Sequence, residues 1–356
     1  MNCPIYKLQS NTEFLSSFNQ KVYSWRIPIN GGMDLAERCN LDCVHCYIKK
    51  PAGAAKDLPA KKIKAILDEV SSAGCLFFLM TGGEPLLRKD FADIYVHAVK
   101  LGMLVTVFSN GTLIDAETAK LFQKWSPQNI EISIYGATAK THDKITKVSG
   151  SFKKTIRGVE QLLNRNVSVS LKTMLMTGNQ DEFEGMLRLS KKLGVKFRMD
   201  AELFPRFDGN RKPLDFRVPP EMAVAKEMMI PGRLQAWKKY FSRMKHAPAG
   251  NKLYECAAGQ SYFHINSRGI LMPCLMTTDV GYDLKKGSFM HGWNKVIGGK
   301  FNKTPSLGFA CRKCRNRIAC DSCPSFFLLE NGDKTIYSKY MCSMAEGRVR
   351  SAGGIV

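Results

Sequence analysis

The sequence predicts an α/β fold: a partial barrel or open parallel sheet of about six β/α units, followed by a smaller cysteine-rich domain. Three observations carry this. Apolar patterning alternates between short strand-like runs and helical spacing from residue 22 to residue 204. Glycine-bearing and polar motifs recur at the ends of those runs, where parallel sheets place their ligand sites. Seven of the twelve cysteines fall within residues 256–342, among short strands and turns with little helical periodicity.

The elements follow in order. Residues 1–21 read as a polar lead-in. Residues 22–29 alternate apolar and polar side chains and read as a strand arriving at a cysteine loop, after which 51–57 form a connector. Residues 59–73 have helical spacing, with Ile63, Ile66, Leu67 and Val70 on one face. Residues 75–80 are continuously apolar, as in a strand covered on both faces. The alternation continues with helix 91–101, strand 104–108, helix 116–125, strand 129–135, helix 152–164, strand 167–176, helix 182–193 and strand 196–201. Right-handed parallel βαβ units follow from that order, too few of them for a closed eight-fold barrel. The barrel domain is therefore drawn over 22–204. Prolines 205, 213, 219, 220 and 231 mark a linker over 205–235. A second domain fills 236–356; poor in core and rich in cysteine, it reads as assembled around metal.

Composition bounds the partners. The 356 residues are 44% hydrophobic and 24% charged, as in a soluble globular protein. No run approaches eighteen apolar residues, and the N-terminus lacks the plan of a signal peptide, so a cytoplasmic location is expected. In that compartment cysteines serve as metal ligands or catalytic groups rather than disulfides. The net charge of +22 suits nucleic acid, an anionic membrane surface or an acidic peptide.

Cys39, Cys43 and Cys46 lie in Cys-Asn-Leu-Asp-Cys-Val-His-Cys-Tyr, spaced so that a tight loop turns three thiolates onto one centre. The loop offers no fourth thiol, and His45 points away from a metal shared by its neighbours. An iron–sulfur cube on three cysteines keeps one iron open, whereas structural zinc closes with four ligands. Half a zinc site is the plain alternative. Gly82-Gly83-Glu84-Pro85 follows one strand, Ser109-Asn110-Gly111 the next, and Ser133 ends a third.

These motifs resemble radical S-adenosylmethionine (SAM) enzymes carrying a C-terminal SPASM domain: Cys-x3-Cys-x2-Cys with the following aromatic residue, Tyr47, and Gly-Gly-Glu-Pro about forty residues on. The resemblance implies a [4Fe-4S] cluster on Cys39, Cys43 and Cys46 whose open iron binds SAM. One electron into the sulfonium then yields a 5′-deoxyadenosyl radical that takes a substrate hydrogen. It further implies that Gly82, Gly83, Glu84 and Pro85 cradle the methionyl group, with Glu84 and backbone carbonyls accepting from its ammonium. Ser133 would contact the ribose or carboxylate, Lys172 would pair with the carboxylate unless it is a solvated surface lysine, and Asn110 is a further cofactor-binding candidate.

The second half carries the family's Gly-x4-Cys as Gly269 and Cys274, after Cys256, and then Cys311-x2-Cys314-x5-Cys320-x2-Cys323 and Cys342. A zinc ribbon would use four of these and leave three idle. The resemblance uses all seven and implies two auxiliary iron–sulfur clusters: a distal one on Cys311, Cys314, Cys320 and Cys342, and a nearer one on Cys256, Cys274 and Cys323. Two features depart from the pattern. Only Asp321 and Ser322 separate Cys320 from Cys323, where the family often has three residues, and the nearer set has three thiols. Leu275 and Met276 follow Cys274 where sulfatase-maturating relatives carry an acid, so that activity is not implied. Cys75 reads as core, and Cys3, His45 and His264 receive no role.

By resemblance the substrate is a ribosomally made peptide or protein, its acidic leader suited to the basic surface or presented by a separate protein. The external one-electron donor is flavodoxin or ferredoxin. Tetrapyrrole or cofactor-precursor chemistry is the alternative, and a non-catalytic iron–sulfur scaffold the alternative of another class. RNA modification fits the charge but lacks a recognisable binding module.

Overall fold

A computed structural model describes residues 11–48, 57–244, 252–301, 309–320 and 322–354. Residues 1–10 of the lead-in, 51–56 of the connector, Cys3 and Asp321 lie outside the described residues. Six parallel strands form the barrel wall: β1 (Asn30–Ala36), β2 (Phe77–Gly82), β3 (Leu104–Ser109), β4 (Asn129–Ser133), β5 (Val169–Met174) and β6 (Lys196–Asp200). The helices are α1 (Asn11–Ser24), α2 (Ala60–Ser72), α3 (Phe91–Lys100), α4 (Ala116–Lys124), α5 (Ala139–Thr146), α6 (Ser151–Leu163), α7 (Phe183–Lys192), α8 (Pro220–Met228) and α9 (Arg233–Met244). On each strand one parity packs outward against helices, such as Val105 and Val107 or Ile130 and Ile132, all buried. The other parity gives the barrel a polar interior that includes Asp34, Glu131 and Lys172.

Residues 22–29 are not a strand. They hold the end of α1 and the turn after it, and the strand into the cysteine loop begins at Asn30. The turn closes as a Schellman motif: Ile27 N–H donates to Val22 O at 3.0 Å, Arg26 N–H donates to Tyr23 O at 3.2 Å, and Arg26 has φ 50°. The apparent alternation comes from Val22 and Ile29, which are buried from opposite sides of that turn. Helix α5 escapes the pattern because its only large aliphatic residue is Ile145. In the expected linker, Pro219 and Pro220 open α8 instead of breaking structure, since proline suits a helix's first turn.

The cysteine-rich half is not poor in core, and it does not stand apart from the barrel. Strand β7 (Tyr262–Ile265) pairs in parallel with β1, Gly31 opposite Phe263, and continues antiparallel into β8 (Ile270–Met272) and β9 (Tyr282–Asp283). The sheet therefore runs β6-β5-β4-β3-β2-β1-β7-β8-β9 through both halves. Phe263, Phe289 and Trp293 are fully buried in the same hydrophobic core as Met33 and Leu35. The Trp293 indole N–H donates to Arg26 O at 2.8 Å, and the Arg26 guanidinium lies 4.8 Å from the indole ring. Helix Pro324–Asn331 lies within the 256–342 region expected to show little helical periodicity, and helix Lys339–Ser351 begins at its end.

Arg348, on the last helix, ties three segments together inside the protein. Its Nε donates to Glu227 on α8 at 2.9 Å, one terminal nitrogen donates to Glu202 after β6 at 2.8 Å, and the other donates to Ala319 O at 3.3 Å. Removing the cation leaves two carboxylates in low-dielectric surroundings. Arg348→Ala should therefore cost about 3–5 kcal/mol of stability. Denaturant unfolding checks this, and a loss below about 1 kcal/mol, the scale of a surface pair, would contradict it.

Candidate active site

The cysteine loop is fastened at both ends. Where it leaves β1, Gly83 N–H donates to Ala36 O at 2.7 Å and Glu84 N–H donates to Arg38 O at 2.8 Å. That approach needs glycine: a Cβ on Gly83 would sit 2.2 Å from Arg38 O, and one on Gly82, at φ +131°, 2.4 Å from Ala36 O. Farther along, Asp42 N–H and Val44 N–H donate to Thr146 O and Ile145 O at the end of α5, at 2.9 and 3.0 Å. Tyr47 closes the loop by packing against Phe204 and Phe207, with ring centroids 5.1 and 5.2 Å away.

None of Cys39, Cys43 and Cys46 is in a disulfide, and each is partly exposed. All three lie within electrostatic reach of Tyr135. Burial, and after it the charge on Cys43, pushes that phenol's pKa well above its usual value; Cys46 and Cys39 add to the rise, while a hydrogen bond with Ser133 opposes it. The Cys39 sulfur faces Leu41 N–H at 3.4 Å and the Asn110 amide at 3.8 Å. Burial still pushes the Cys39 thiol up, so a bare site favours the protonated form, and a cationic metal centre reverses that preference. Three convergent sulfurs, with amide donors aimed at one of them, fit an iron–sulfur centre with an open position. His45, between Cys43 and Cys46, is buried edge-on against Tyr135 at 4.6 Å.

Glu84 differs from its expected use as an acceptor for an ammonium group. It is fully buried, and its carboxylate accepts from Leu86 N–H at 3.1 Å, Ser109 Oγ at 2.9 Å and Asn110 N–H at 2.7 Å. Its work is to lock the end of β3 to the turn opened by Pro85, which is also buried. Asn110 faces the loop: its amide donates to Asn40 Oδ1 at 2.9 Å and accepts from the Thr112 backbone at 2.9 Å. Asn40 completes the bracket by donating to Thr112 Oγ1 at 2.8 Å. Ser133 ends β4 opposite Lys172 on β5. Lys172 is not a solvated surface lysine. Its Nζ lies 3.0 Å from the centre of the Phe108 ring, and burial brings its pKa down to about 7 against the pull of Glu131. Asn40, Thr112 and Tyr135 join the site without any signal of their own in the motifs, though Tyr135 is two residues past Ser133 and so on the same strand face.

Residues 33–190, from β1 into α7, match the family model described as the Radical SAM superfamily. Residues 33–190 are a radical SAM domain. Enzymes of this superfamily use a [4Fe-4S] cluster and SAM. The chain is similar to the AdoMet-dependent heme synthase of Methanosarcina barkeri, 26% identical over 84% of this chain and 92% of that one. The mycofactocin maturase MftC of Mycolicibacterium smegmatis is 25% identical over 82% of this chain and 77% of its own length. Several other relatives are matched over less than half of their length. Among solved structures, Streptococcus suis SuiB bound to S-adenosylmethionine shares the fold, with TM-score 0.71 and 14% identity over 96% of this chain and 83% of that chain. The radical SAM barrel with a SPASM-type cysteine-rich C-terminal part is thus the architecture of this chain.

The C-terminal thiols gather in two places. Cys311, Cys314, Cys320 and Cys342 line one pocket together with Arg317 and Glu346. Cys256, Cys274 and Cys323 gather in a second place: burial raises the Cys323 thiol to about 12, and Cys274 and Cys256 add to the rise. Tyr262 stands beside Cys274 and faces Asp34. Among the described residues no three His, Cys, Asp or Glu side chains converge as for a single metal ion. Cys75 is a buried core thiol on the outer side of the sheet. His264 is fully buried, with Nε2 3.1 Å from Asp34 Oδ1 but off the line of a hydrogen bond.

Burial raises the Glu84 carboxyl to about 7, against hydrogen bonds from Asn110, Leu86 and Ser109. A carboxyl raised above its unfolded value of 4.5 contributes stability that is complete below pH 4.5 and lost as pH rises through about 7. Stability measured relative to Glu84→Gln should therefore fall across that window. A difference constant from pH 4.5 to 7 would contradict the burial argument.

Proposed function

We propose that this radical SAM enzyme takes a hydrogen atom from a ribosomally made peptide or protein, leading to a thioether or carbon–carbon crosslink or a related maturation. The observation that carries the radical chemistry is the gathering of Cys39, Cys43 and Cys46 beside Tyr135, with the Gly82–Gly83 backbone pressed against the same loop. Cys39, Cys43 and Cys46 would hold a [4Fe-4S] cluster there, which with bound SAM and one electron would supply a 5′-deoxyadenosyl radical. Asn110 and Leu41 donate toward the Cys39 sulfur, the Gly82–Gly83 backbone would offer carbonyl acceptors to the methionyl ammonium, and Ser133 and Lys172 would offer donors to its carboxylate. Cys311, Cys314, Cys320 and Cys342 would hold a distal auxiliary cluster, and Cys256, Cys274 and Cys323 a nearer one. The likeness to MftC supports a peptide substrate, and the net charge of +22 suits an acidic leader or a presenting protein. Flavodoxin or ferredoxin would supply the electron, in the cytoplasm, where thiols stay reduced.

The likeness to a heme synthase over most of both chains favours a second reading, modification of tetrapyrrole side chains. Lys172 and Arg198, opposite each other on β5 and β6, would then meet the substrate's carboxylates.

Anaerobic reconstitution should load about twelve irons per chain. Replacing Cys311 and Cys314 by alanine should remove about four of them; iron content unmoved by that change would sink the distal cluster. With reductant and SAM the protein should form 5′-deoxyadenosine, and an acidic-leader peptide encoded nearby should emerge lighter by its lost hydrogens. Unaltered peptide, together with an iron porphyrin that loses carbon dioxide, would instead establish the second reading.

A further inference from the structure

We propose that the exposed cationic face of α5 and α6 is the docking surface for an acidic one-electron donor protein of the flavodoxin or ferredoxin class. The inference rests on the reading that Cys39, Cys43 and Cys46 hold a redox-active cluster, and it says where that cluster's electron enters. Lys140, Lys144, Lys147, Lys153, Lys154 and Arg157 are all exposed there. Among the described residues none of the six takes part in an ion pair. The acid of the same stretch, Asp143, is turned inward: it accepts from Gly150 N–H at 2.7 Å and from Ser151 Oγ and Phe152 N–H, each at 2.8 Å. The other acids near the patch stand at its rim: Asp42 on the cysteine loop, Glu160 farther along α6, and Glu182, which caps the start of α5 by accepting from Ala137 and Thr138 N–H and from the Thr138 and Thr141 hydroxyls.

Local folding does not ask for these cations. Lys153 and Lys154 occupy the first turn of α6, where the helix dipole is positive, and the one acid at that end, Asp143, accepts from Gly150 N–H, Ser151 Oγ and Phe152 N–H and forms no ion pair with either lysine. The lysines outnumber it, as suits a surface completed by a negatively charged partner.

The face is also the outer side of the cysteine loop. The backbone around Cys43 is hydrogen-bonded to the last turn of α5, through Asp42 to Thr146 and Val44 to Ile145. From there a continuous ladder of rings runs outward. His45, between two of the thiols, meets Tyr135 at 4.6 Å, Tyr135 meets His142 at 5.8 Å, and His142 meets Phe152 at 5.6 Å. Phe152 lies next to Lys153 in the sequence and at the edge of the patch. Packed side chains thus join the patch to the loop. The step is a plain electron transfer: the donor's reduced flavin or iron–sulfur centre is oxidised by one electron, the centre on Cys39, Cys43 and Cys46 is reduced by one, and no proton or atom crosses. A substrate, by contrast, has to reach the barrel interior at the strand ends, and α5 and α6 belong to the outer layer.

The experiment uses the reconstituted holoenzyme, a reduced acidic flavodoxin, and dithionite as the small reductant. The triple variant Lys140→Glu, Lys144→Glu, Lys153→Glu should bind flavodoxin at least about tenfold more weakly at low salt, and wild-type affinity should fall as salt rises. 5′-Deoxyadenosine formation driven by flavodoxin should drop with it, while that driven by dithionite stays within about twofold of wild type. The neutral triple Lys→Gln should lie between. A matching reversal on α7, Arg188→Glu, Lys191→Glu, Lys192→Glu, should leave flavodoxin affinity near wild type. Unchanged flavodoxin affinity in the α5–α6 variant overturns the proposal, as does an equal loss in the α7 variant. So does a loss confined to an acidic peptide or RNA with flavodoxin binding intact. If neither reductant yields 5′-deoxyadenosine from wild type, the cluster reading fails, and the binding measurements still decide the docking surface.

Discussion

The site depends on one close approach of backbone to backbone. The turn after β2 presses against the segment leaving β1, with Gly83 N–H on Ala36 O and Glu84 N–H on Arg38 O. Side chains are excluded from that contact on both sides, so the position of the cysteine loop follows from main-chain geometry, the least adaptable part of a protein. Everything else braces this junction. Glu84 passes inward to hold β3, Asn110 passes outward to hold Asn40 and face Cys39, and the far end of the loop rests on α5. Three strands and one helix thereby agree on where three sulfurs stand.

Charge in the barrel interior sits in two groups. On the β4–β6 wall two cations face two acids: Lys172 is desolvated over Phe108, and Arg198 reaches Glu131 at 3.4 Å and Asp200 at 2.7 Å. The opposite wall, on β1 and β7, holds Asp34 and His264.

Much of this is legible in the chain. Strand and helix order over 60–200 follows from apolar period alone, because parallel strands buried on both faces leave continuous apolar runs. The cysteine spacings carry the grouping of thiols only through resemblance, since spacing cannot say which loops meet. What stays hidden is non-local. Nothing near Tyr262 announces that it will pair beside residue 30, some 230 positions earlier, so the cysteine-rich half reads as a separate body. Glu84 reads as ligand-facing because its neighbours are glycines; that it points inward depends on Ser109 and on the Asn110 backbone, which belong to another strand. Residues 22–29 mislead because two apolar residues at the ends of a helix-closing turn mimic a strand's alternation.

The union of β7 with β1 has a mechanical meaning. A C-terminal part tethered by a loop could swing aside, as a lid does. Here it is stitched to the strand that delivers Cys39, through backbone ladder bonds and a shared aromatic core. The strand that leads into Cys39 and the hairpin that leads into Cys274 therefore belong to one sheet, so the first cysteine of the loop and that distal sulfur hang from the same backbone ladder.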